Sequence, residues 1–141
     1  EAINLEFNSV TQESISYFKE LFEKKRITLS QDIKPCELKI APTKAKMLVN
    51  NLLSNAIKYS KPKTHIKVYL TQEKLIIEDE GIGIAQDKLK LIFKRFERAS
   101  TYAGGFGVGL SIVDNIVKEY GYKIDVESQE GKGTKITLTF R

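Results

Sequence analysis

One stretch with the periodicity of a helix carries two asparagines, a lysine and a tyrosine on a single face. From Thr43 to Tyr59, apolar residues recur every three or four positions, as in an amphipathic helix. The opposite stripe consists of Asn51, Asn55, Lys58 and Tyr59. Asparagine is a poor residue inside a helix, so two of them one turn apart lower its stability. Amide oxygens bind magnesium and ammonium groups bind phosphate, so the stripe outlines a nucleotide site, although a solvated face also accommodates these residues.

A short glycine pattern follows a predicted strand. In Asp79-x-Gly81-x-Gly83, glycine lets the backbone turn tightly and lets a flat ligand approach closely. The carboxylate of Asp79 can accept a hydrogen bond from an exocyclic amine such as that of adenine. Taken alone, the pattern also fits a simple acidic turn after a strand.

A second glycine cluster, Gly104 to Gly109, directly precedes a predicted helix. Free amides at a helix N-terminus favour phosphate, so the cluster predicts an anion site, the alternative being a flexible surface loop. The Gly-Lys-Ser/Thr of a P-loop and the early strand of a dinucleotide fingerprint are both missing. Between the two glycine patterns, Arg95 and Arg98 could reach a triphosphate as forked donors, or could lie on the surface.

Composition limits the class of protein. The chain has 141 residues, with 41% hydrophobic and 29% charged residues, which is enough for one domain with a core. It shows no apolar run near the ~20 residues that cross a bilayer and no signal segment. The single Cys36 fits a reducing compartment, so we expect a cytoplasmic location. Because the sequence starts at Glu1 without Met, we expect a piece of a longer protein.

The net charge of +5 does not indicate a nucleic-acid partner. The 23 lysines and arginines are spread along the chain among 18 carboxylates, as on solvated helix faces. We therefore expect no binding to nucleic acid. The isolated chain is expected to be a monomer.

Periodicity and turn residues predict interleaved helices and strands. Strands are predicted at 4–7, 26–33, 37–41, 65–70, 74–78, 123–128 and 134–140. Helices are predicted at 9–25, 43–60, 86–93 and 110–120, with Thr43 as the N-cap of the second. The strands 65–70 and 74–78, and the strands 123–128 and 134–140, are joined by short turns and are expected to form hairpins. These hairpins favour an α+β fold over residues 1–141: a two-layer sandwich with a mixed, mostly antiparallel sheet covered on one face by helices.

Five segments, in order, resemble the N, G1, F, G2 and G3 boxes of sensor histidine kinases. They are Asn51-Leu52-Leu53-Ser54-Asn55-Ala56-Ile57-Lys58-Tyr59, Asp79-Glu80-Gly81-Ile82-Gly83-Ile84, Phe93-Lys94-Arg95-Phe96, Gly105-Phe106-Gly107-Val108-Gly109-Leu110 and Gly131-Lys132-Gly133-Thr134. The chain is similar, over nearly its whole length, to the catalytic and ATP-binding domain of a two-component kinase. That domain belongs to the superfamily of gyrase-type, chaperone and mismatch-repair ATPases. Val108 departs from the usual leucine, and the predicted lid, 99–103, is short.

The resemblance implies a role for each matching residue. Asn55 would be the magnesium ligand, Asp79 would bind the adenine amine, and Arg98 would approach the γ-phosphate. Asn51 stands where hydrolytic relatives are expected to carry a glutamate base, and since an amide cannot accept a proton from water, transfer is favoured over hydrolysis. The other residues assigned to the nucleotide are Lys58, Tyr59, Gly81, Gly83, Ile84, Arg95, Gly105, Gly107, Gly109, Leu110 and Thr134.

The resemblance also implies cofactors and partners. ATP and Mg²⁺ would bind, and the γ-phosphate would pass to a histidine on a separate dimerisation domain of the same parent protein, which would then serve a response regulator. The parent protein would be anchored in the inner membrane or lie free in the cytoplasm. His65, the single histidine, is expected to be structural or exposed. Two alternatives stay open: a related ATPase or serine kinase of the same superfamily, and a catalytically silent nucleotide sensor.

Overall fold

The computed structural model describes residues 1–83 and 106–140. The strands are β1 (Ile3–Glu6), β2 (Thr28–Ile33), β3 (Glu37–Ile40), β4 (His65–Leu70), β5 (Lys74–Asp79), β6 (Lys123–Gln129) and β7 (Gly133–Thr139). The helices are α1 (Phe7–Tyr17), α2 (Lys19–Lys24), α3 (Pro42–Tyr59) and α4 (Phe106–Tyr120).

The main sheet has five strands in the order β2-β4-β5-β7-β6. The pair β2–β4 is parallel, and the other neighbouring pairs are antiparallel. Strands β1 and β3 form a separate antiparallel ribbon. The predicted mixed, mostly antiparallel α+β sandwich is therefore confirmed, as are the hairpins β4–β5 and β6–β7.

Alternating side chains divide the sheet into an inner and an outer face. In β4, Ile66, Val68 and Leu70 are buried, whereas His65 and Lys67 are exposed. Strands β5 and β7 alternate in the same way, because successive side chains of a strand point to opposite faces. The buried side chains meet α3, which packs between α1 and α4. The outer face of the sheet consequently carries polar and charged residues.

Helix α3 buries the predicted apolar stripe. Its fully buried residues include Leu48, Val49 and Leu53. The predicted N-cap at Thr43 is wrong, because Ala41 is the N-cap, Pro42 opens the helix, and no side chain caps it. Proline lacks an N–H and is fixed at a helical φ, so it suits the first turn without a capping side chain.

The predicted helix over 9–25 is two helices, α1 and α2, separated at Phe18. Phe18 has φ −94° and ψ 9°, outside the helical values, and both Phe18 and Phe22 reach the core. A single helix over 9–25 would carry Leu21 on the same inner face as Phe18 and Phe22, yet Leu21 is 45% exposed.

Helix α4 starts at Phe106, earlier than the predicted start at Leu110, so the last glycines of the cluster lie in its first turn. The predicted helix over 86–93 and the predicted lid over 99–103 lie outside the described residues. None of the helices in the described part of the chain combines the length and the apolar character needed to span a bilayer.

Two helices end in the same hydrogen-bonding motif with different residues at the left-handed position. After α4, Gly121 has φ +73°, and the N–H of Tyr122 donates to the carbonyl of Val117 at 2.9 Å. After α2, Arg26 has φ +59°, and the N–H of Ile27 donates to the carbonyl of Phe22 at 2.8 Å. This is the Schellman motif, where glycine is usual because a Cβ is strained at positive φ.

We expect Arg26→Gly to raise the free energy of unfolding by about 0.5–1 kcal/mol, since relief of left-handed strain exceeds the added entropy of the unfolded chain. Urea denaturation measures this change. Arg26→Ala is the matched control, because it removes the guanidinium and keeps the Cβ. A gain of the same size in the alanine variant would contradict the explanation from backbone strain.

Candidate functional site

A pocket opens on the inner face of the sheet, between the C-terminal half of α3 and the adjacent ends of β5 and β7. About 440 Å³ of space free of protein atoms lies within it, including solvent at its open mouth. The residues that line it are Leu52, Asn55, Ala56, Tyr59, Ile77, Asp79, Ile82, Gly83, Thr134 and Ile136. The wall is mostly apolar, with few polar groups, which is the composition of a site for a flat, largely apolar ring.

Asp79 places a carboxyl group in this apolar wall, at the last position of β5. Burial raises the pKa of this carboxyl group from its ordinary 3.8 to about 6, and hydrogen bonds from the backbone of Gly81 and Thr134 oppose the shift. The Gly81 N–H donates to Asp79 Oδ1 at 2.9 Å. The described contacts of Asp79 include no basic side chain, so ionising this carboxyl group lowers stability, and a perturbed buried carboxyl group of this kind is typical of binding sites.

Glycines let two backbone segments approach Asp79 closely. A Cβ on Gly81 would lie 2.2 Å from the carbonyl oxygen of Tyr59, the last residue of α3. A Cβ on Gly133, which has φ +137°, would lie 2.1 Å from the carbonyl oxygen of Asp79. Any other residue at these two positions would push α3 or β7 away from the pocket. Gly81 was predicted to be a site residue, whereas Gly133 was not, although Gly133 stands in the G3 segment.

Thr134 is buried and stands opposite Asp79 in the β5–β7 pairing. Its hydroxyl lies 2.8 Å from that of Ser128 on β6, and Ser128 also donates to the carbonyl of Gly133 at 2.9 Å. Ser128 thus holds Gly133 and Thr134, on the β7 side of the pocket, by hydrogen bonds. It was missed, because a serine in an alternating strand has no distinctive sequence signal.

Asn55 lies in the pocket wall, opposite the strands. It was expected on a polar stripe, yet it is buried, and its amide nitrogen Nδ2 has no hydrogen-bond partner among the described residues. A buried amide without a partner costs about 1–3 kcal/mol, so it indicates a ligand group at this point.

The other members of the predicted stripe surround the pocket to different degrees. Tyr59 lines it, and Lys58 is exposed, with its Nζ 5.5 Å from the centroid of the Tyr59 ring. Asn51 does not line it; its Nδ2 donates to the carbonyl of Met47, one turn back, at 2.6 Å. The side-chain amide of Asn51 is therefore hydrogen-bonded within α3.

The predicted metal site is tested by the donors in this region. No group of three or more His, Cys, Asp or Glu able to hold a metal occurs within residues 1–83 and 106–140. Magnesium, however, usually keeps several waters and takes only one or two protein ligands together with substrate phosphates. The carboxamide of Asn55 fits this requirement through its oxygen, whereas the atom without a partner among the described residues is the donor Nδ2, which suits an acceptor such as a phosphate oxygen.

Several predicted site residues are not brought to the described pocket. Ile84, Arg95, Arg98 and Gly105 lie outside the described residues, as does the predicted F box. Gly107 and Gly109 lie within the first turn of α4, and Leu110 is fully buried in the core. Their contacts with a nucleotide stay predictions.

Residues 40–141 match the family described as histidine kinase-, DNA gyrase B-, and HSP90-like ATPase. The chain belongs to this family. The pocket described above, with Asp79 and Asn55 in its walls, lies in the matched part of the chain.

Similar proteins narrow the resemblance to sensor kinases. The chain is 36% identical over 120 residues to the sensor histidine kinase YkoH of Bacillus subtilis (strain 168), covering 81% of this chain and 26% of that protein. It is 33% identical over 141 residues to the sensor histidine kinase RppB of Synechocystis sp., covering 93% and 31%. The solved structure of a mycobacterial sensor histidine kinase, MprB, has a TM-score of 0.83 and 26% identity, covering 99% of this chain and 96% of that chain.

These comparisons confirm the predicted resemblance to the catalytic, ATP-binding domain of sensor histidine kinases. The chain spans only 26% and 31% of the length of the two curated relatives. The cytoplasmic location, the parent protein and its partners stay predictions.

The buried carboxyl group predicts a particular pH dependence of stability. Because the folded-state pKa of Asp79, about 6, lies above the ordinary 3.8, folding favours the protonated form, and Asp79 lowers stability progressively as pH rises from about 4 to 6. Asp79→Asn should therefore raise the free energy of unfolding of the nucleotide-free chain at pH 7.5 by about 2–3 kcal/mol, and by much less at pH 4.5. Urea denaturation at both pH values measures the difference.

Asp125→Asn is the control for that experiment, because Asp125 is an exposed carboxylate on β6. It should change stability little at either pH. An Asp79→Asn variant with the same stabilisation at pH 4.5 and 7.5 would contradict the assignment of a raised pKa to Asp79.

Proposed function

We propose that residues 1–141 form one catalytic domain that binds Mg-ATP in this pocket and passes the γ-phosphate to a histidine on a separate dimerisation domain of the parent protein. A response regulator would be the next acceptor. The observation that carries the proposal is that an apolar pocket is lined by the buried carboxyl group of Asp79 and by Asn55, whose buried Nδ2 has no partner among the described residues. Membership of the ATPase family and the sensor-kinase relatives support it.

Adenine recognition rests on Asp79 in this proposal. Its carboxylate accepts hydrogen bonds from the backbone of Gly81 and Thr134, and its remaining lone pairs can accept the exocyclic amine of adenine. The apolar residues Leu52, Ile77 and Ile136 line the same pocket and exclude water from the ring. The hydrogen bond is strengthened by the low local dielectric and selects adenine over guanine, whose carbonyl oxygen would meet a carboxylate.

The phosphate end of the nucleotide is assigned to the side of the pocket that α3 forms. Asn55 offers an amide oxygen to magnesium, and Lys58, one turn further toward the C-terminus, offers an ammonium group to phosphate oxygens. Magnesium, when bound, neutralises charge on the phosphate oxygens. Lys58 is exposed at the helix end, and its long stem gives it the reach to follow the triphosphate.

The amide of Asn51 favours transfer of the γ-phosphate over hydrolysis of ATP. Its carboxamide donates to the carbonyl of Met47 and cannot take a proton from an attacking water. In the transfer, the bond between the γ-phosphorus and the bridging oxygen breaks, a bond to an imidazole nitrogen forms, and ADP leaves. This chain contributes positioning and charge neutralisation, which supply most of the rate in phosphoryl transfer.

His65 is not the acceptor in this proposal. It is exposed at the first position of β4, and it alternates with the buried Ile66. Its side chain therefore belongs to the outer face of the sheet, whereas the pocket opens on the inner face. The accepting histidine must come from another domain.

Calorimetric titration with ADP, with and without magnesium, tests the binding half of the proposal. Asp79→Asn should weaken the affinity for ADP ten- to a hundredfold, or by about 1–3 kcal/mol. The side-chain oxygen of the new asparagine would accept the Gly81 N–H, so its NH₂ group would face the adenine amine, and two donors would meet. Asn55→Ala should keep the metal-free affinity and lose the gain that magnesium gives the unaltered chain.

Asp125→Asn again serves as the control and should bind as the unaltered chain does. ADP affinity that is unchanged in Asp79→Asn would refute the adenine assignment. A full magnesium effect in Asn55→Ala would refute the metal assignment separately.

Labelling with ATP that carries a radioactive γ-phosphate tests the transfer half. The chain alone should stay unlabelled, because its single histidine lies on the face of the sheet away from the pocket. Adding the dimerisation domain of the parent protein should give an acid-labile label on that domain, and His65→Gln should not change its rate. A label on His65 of the isolated chain would overturn the proposed division of roles.

A further inference from the structure

The side chain of Lys25 is directed at the C-terminal end of α3. Its Nζ donates to the carbonyl oxygens of Ile57, Lys58 and Ser60 at 2.7, 3.2 and 2.9 Å. Lys25 is the C-cap residue of α2, so this contact joins two helices that are more than 30 positions apart in the sequence. Three converging carbonyl oxygens form a small site for a cation, and the ammonium group fills it.

This site shares its backbone with the pocket. The segment that leaves α3 is held on one side by Lys25 and on the other by the turn after β5. On that second side, the Ile82 N–H donates to the carbonyl of Tyr59 at 3.1 Å, and Ser60 forms a β-bridge with Gly81. Residues Tyr59 and Ser60 are therefore fixed between the ammonium group and the loop that lines the pocket.

The physical basis is electrostatic. The last carbonyls of a helix have no partner within the helix and carry the negative end of its dipole, so a cation placed among them stabilises the helix end. The carbonyl of Tyr59 belongs to this group and is used by Ile82, while its neighbours on either side are bound by Lys25. Without the cation, the neighbouring carbonyls lose this stabilisation, and the position of Tyr59 between them is less constrained.

We infer that Lys25 is a positioning residue for the nucleotide pocket, acting as a tethered monovalent cation that sets the place of Tyr59 and the Gly81 turn. Nothing in the sequence pattern singles it out, since it stands in a run of charged residues, Glu23-Lys24-Lys25-Arg26. The inference rests on the proposed nucleotide binding for its effect on affinity. The contact geometry itself is independent of that function.

Lys25→Met keeps the length of the stem and removes the charge, so it is the direct test. It should weaken the affinity for ADP on the order of tenfold, which is the effect of losing one charge-assisted hydrogen bond. Lys24→Met is the matched control, because Lys24 is the exposed neighbour with the same charge. It should bind ADP as the unaltered chain does. Lys25→Arg keeps the charge and should lose less than the methionine variant, because a planar guanidinium cannot point at three converging oxygens.

Rescue by a free cation separates positioning from a general loss of folding. Rings of backbone carbonyl oxygens bind potassium, so in Lys25→Ala the vacated site should take K⁺. At constant ionic strength, replacing choline chloride by KCl should restore most of the ADP affinity of Lys25→Ala and leave Lys24→Met unaffected. If K⁺ and choline gave equal affinity in Lys25→Ala, the tethered-cation role would be wrong.

Hydrogen exchange gives a readout that needs no nucleotide. The amides of Ser60 and Ile82 should exchange faster in Lys25→Met than in Lys24→Met, because both depend on the position of the α3 end. If the unaltered chain fails to bind ADP while these amides respond as expected, the proposed function fails and the positioning role of Lys25 stands. Equal exchange in the two variants would overturn the positioning role.

Discussion

The constraint on which the site depends is the burial of one carboxyl group in an apolar wall. Burial raises the pKa of Asp79 to about 6, so the nucleotide-free fold holds an ionised group at neutral pH at the expense of stability. Backbone N–H groups offset part of this cost, and they reach the carboxyl group only because Gly81 and Gly133 allow close approach. In the proposed function, the exocyclic amine of adenine completes the arrangement as a further hydrogen-bond donor. This is a common trade between stability and function at binding sites.

Helix α3 connects the core to that site. Its apolar stripe, including Leu48 and Leu53, is buried between α1, α4 and the sheet. The same packing carries Asn55 into the pocket wall, where its amide lacks a partner among the described residues. The C-terminal end of the helix is then fixed by Lys25 on one side and by the turn after β5 on the other. Core packing and site geometry therefore share one element, and a change at the helix end affects both.

The two faces of the sheet separate two kinds of surface. The inner face carries the pocket, and the outer face carries His65 and charged residues in register, such as Lys67 opposite Glu78 and Glu78 opposite Lys135. Opposite charges across neighbouring strands stabilise an exposed sheet modestly and keep it soluble. In the proposed function, this separation keeps the single histidine, His65, away from the nucleotide and leaves the accepting histidine to another domain.

The sequence by itself determined the elements and the order of the motifs. Helical periodicity located the apolar stripe of α3, alternation located the strands, and the spacing of Asp79, Gly81 and Gly83 marked the turn, because these signals are local. The tertiary structure alone decided the break at Phe18, the raised pKa of Asp79, the burial of Asn55 and the contact of Lys25 with α3. Each of these depends on which distant segments pack together, and burial and convergent hydrogen bonds are properties of that packing, which no local pattern contains.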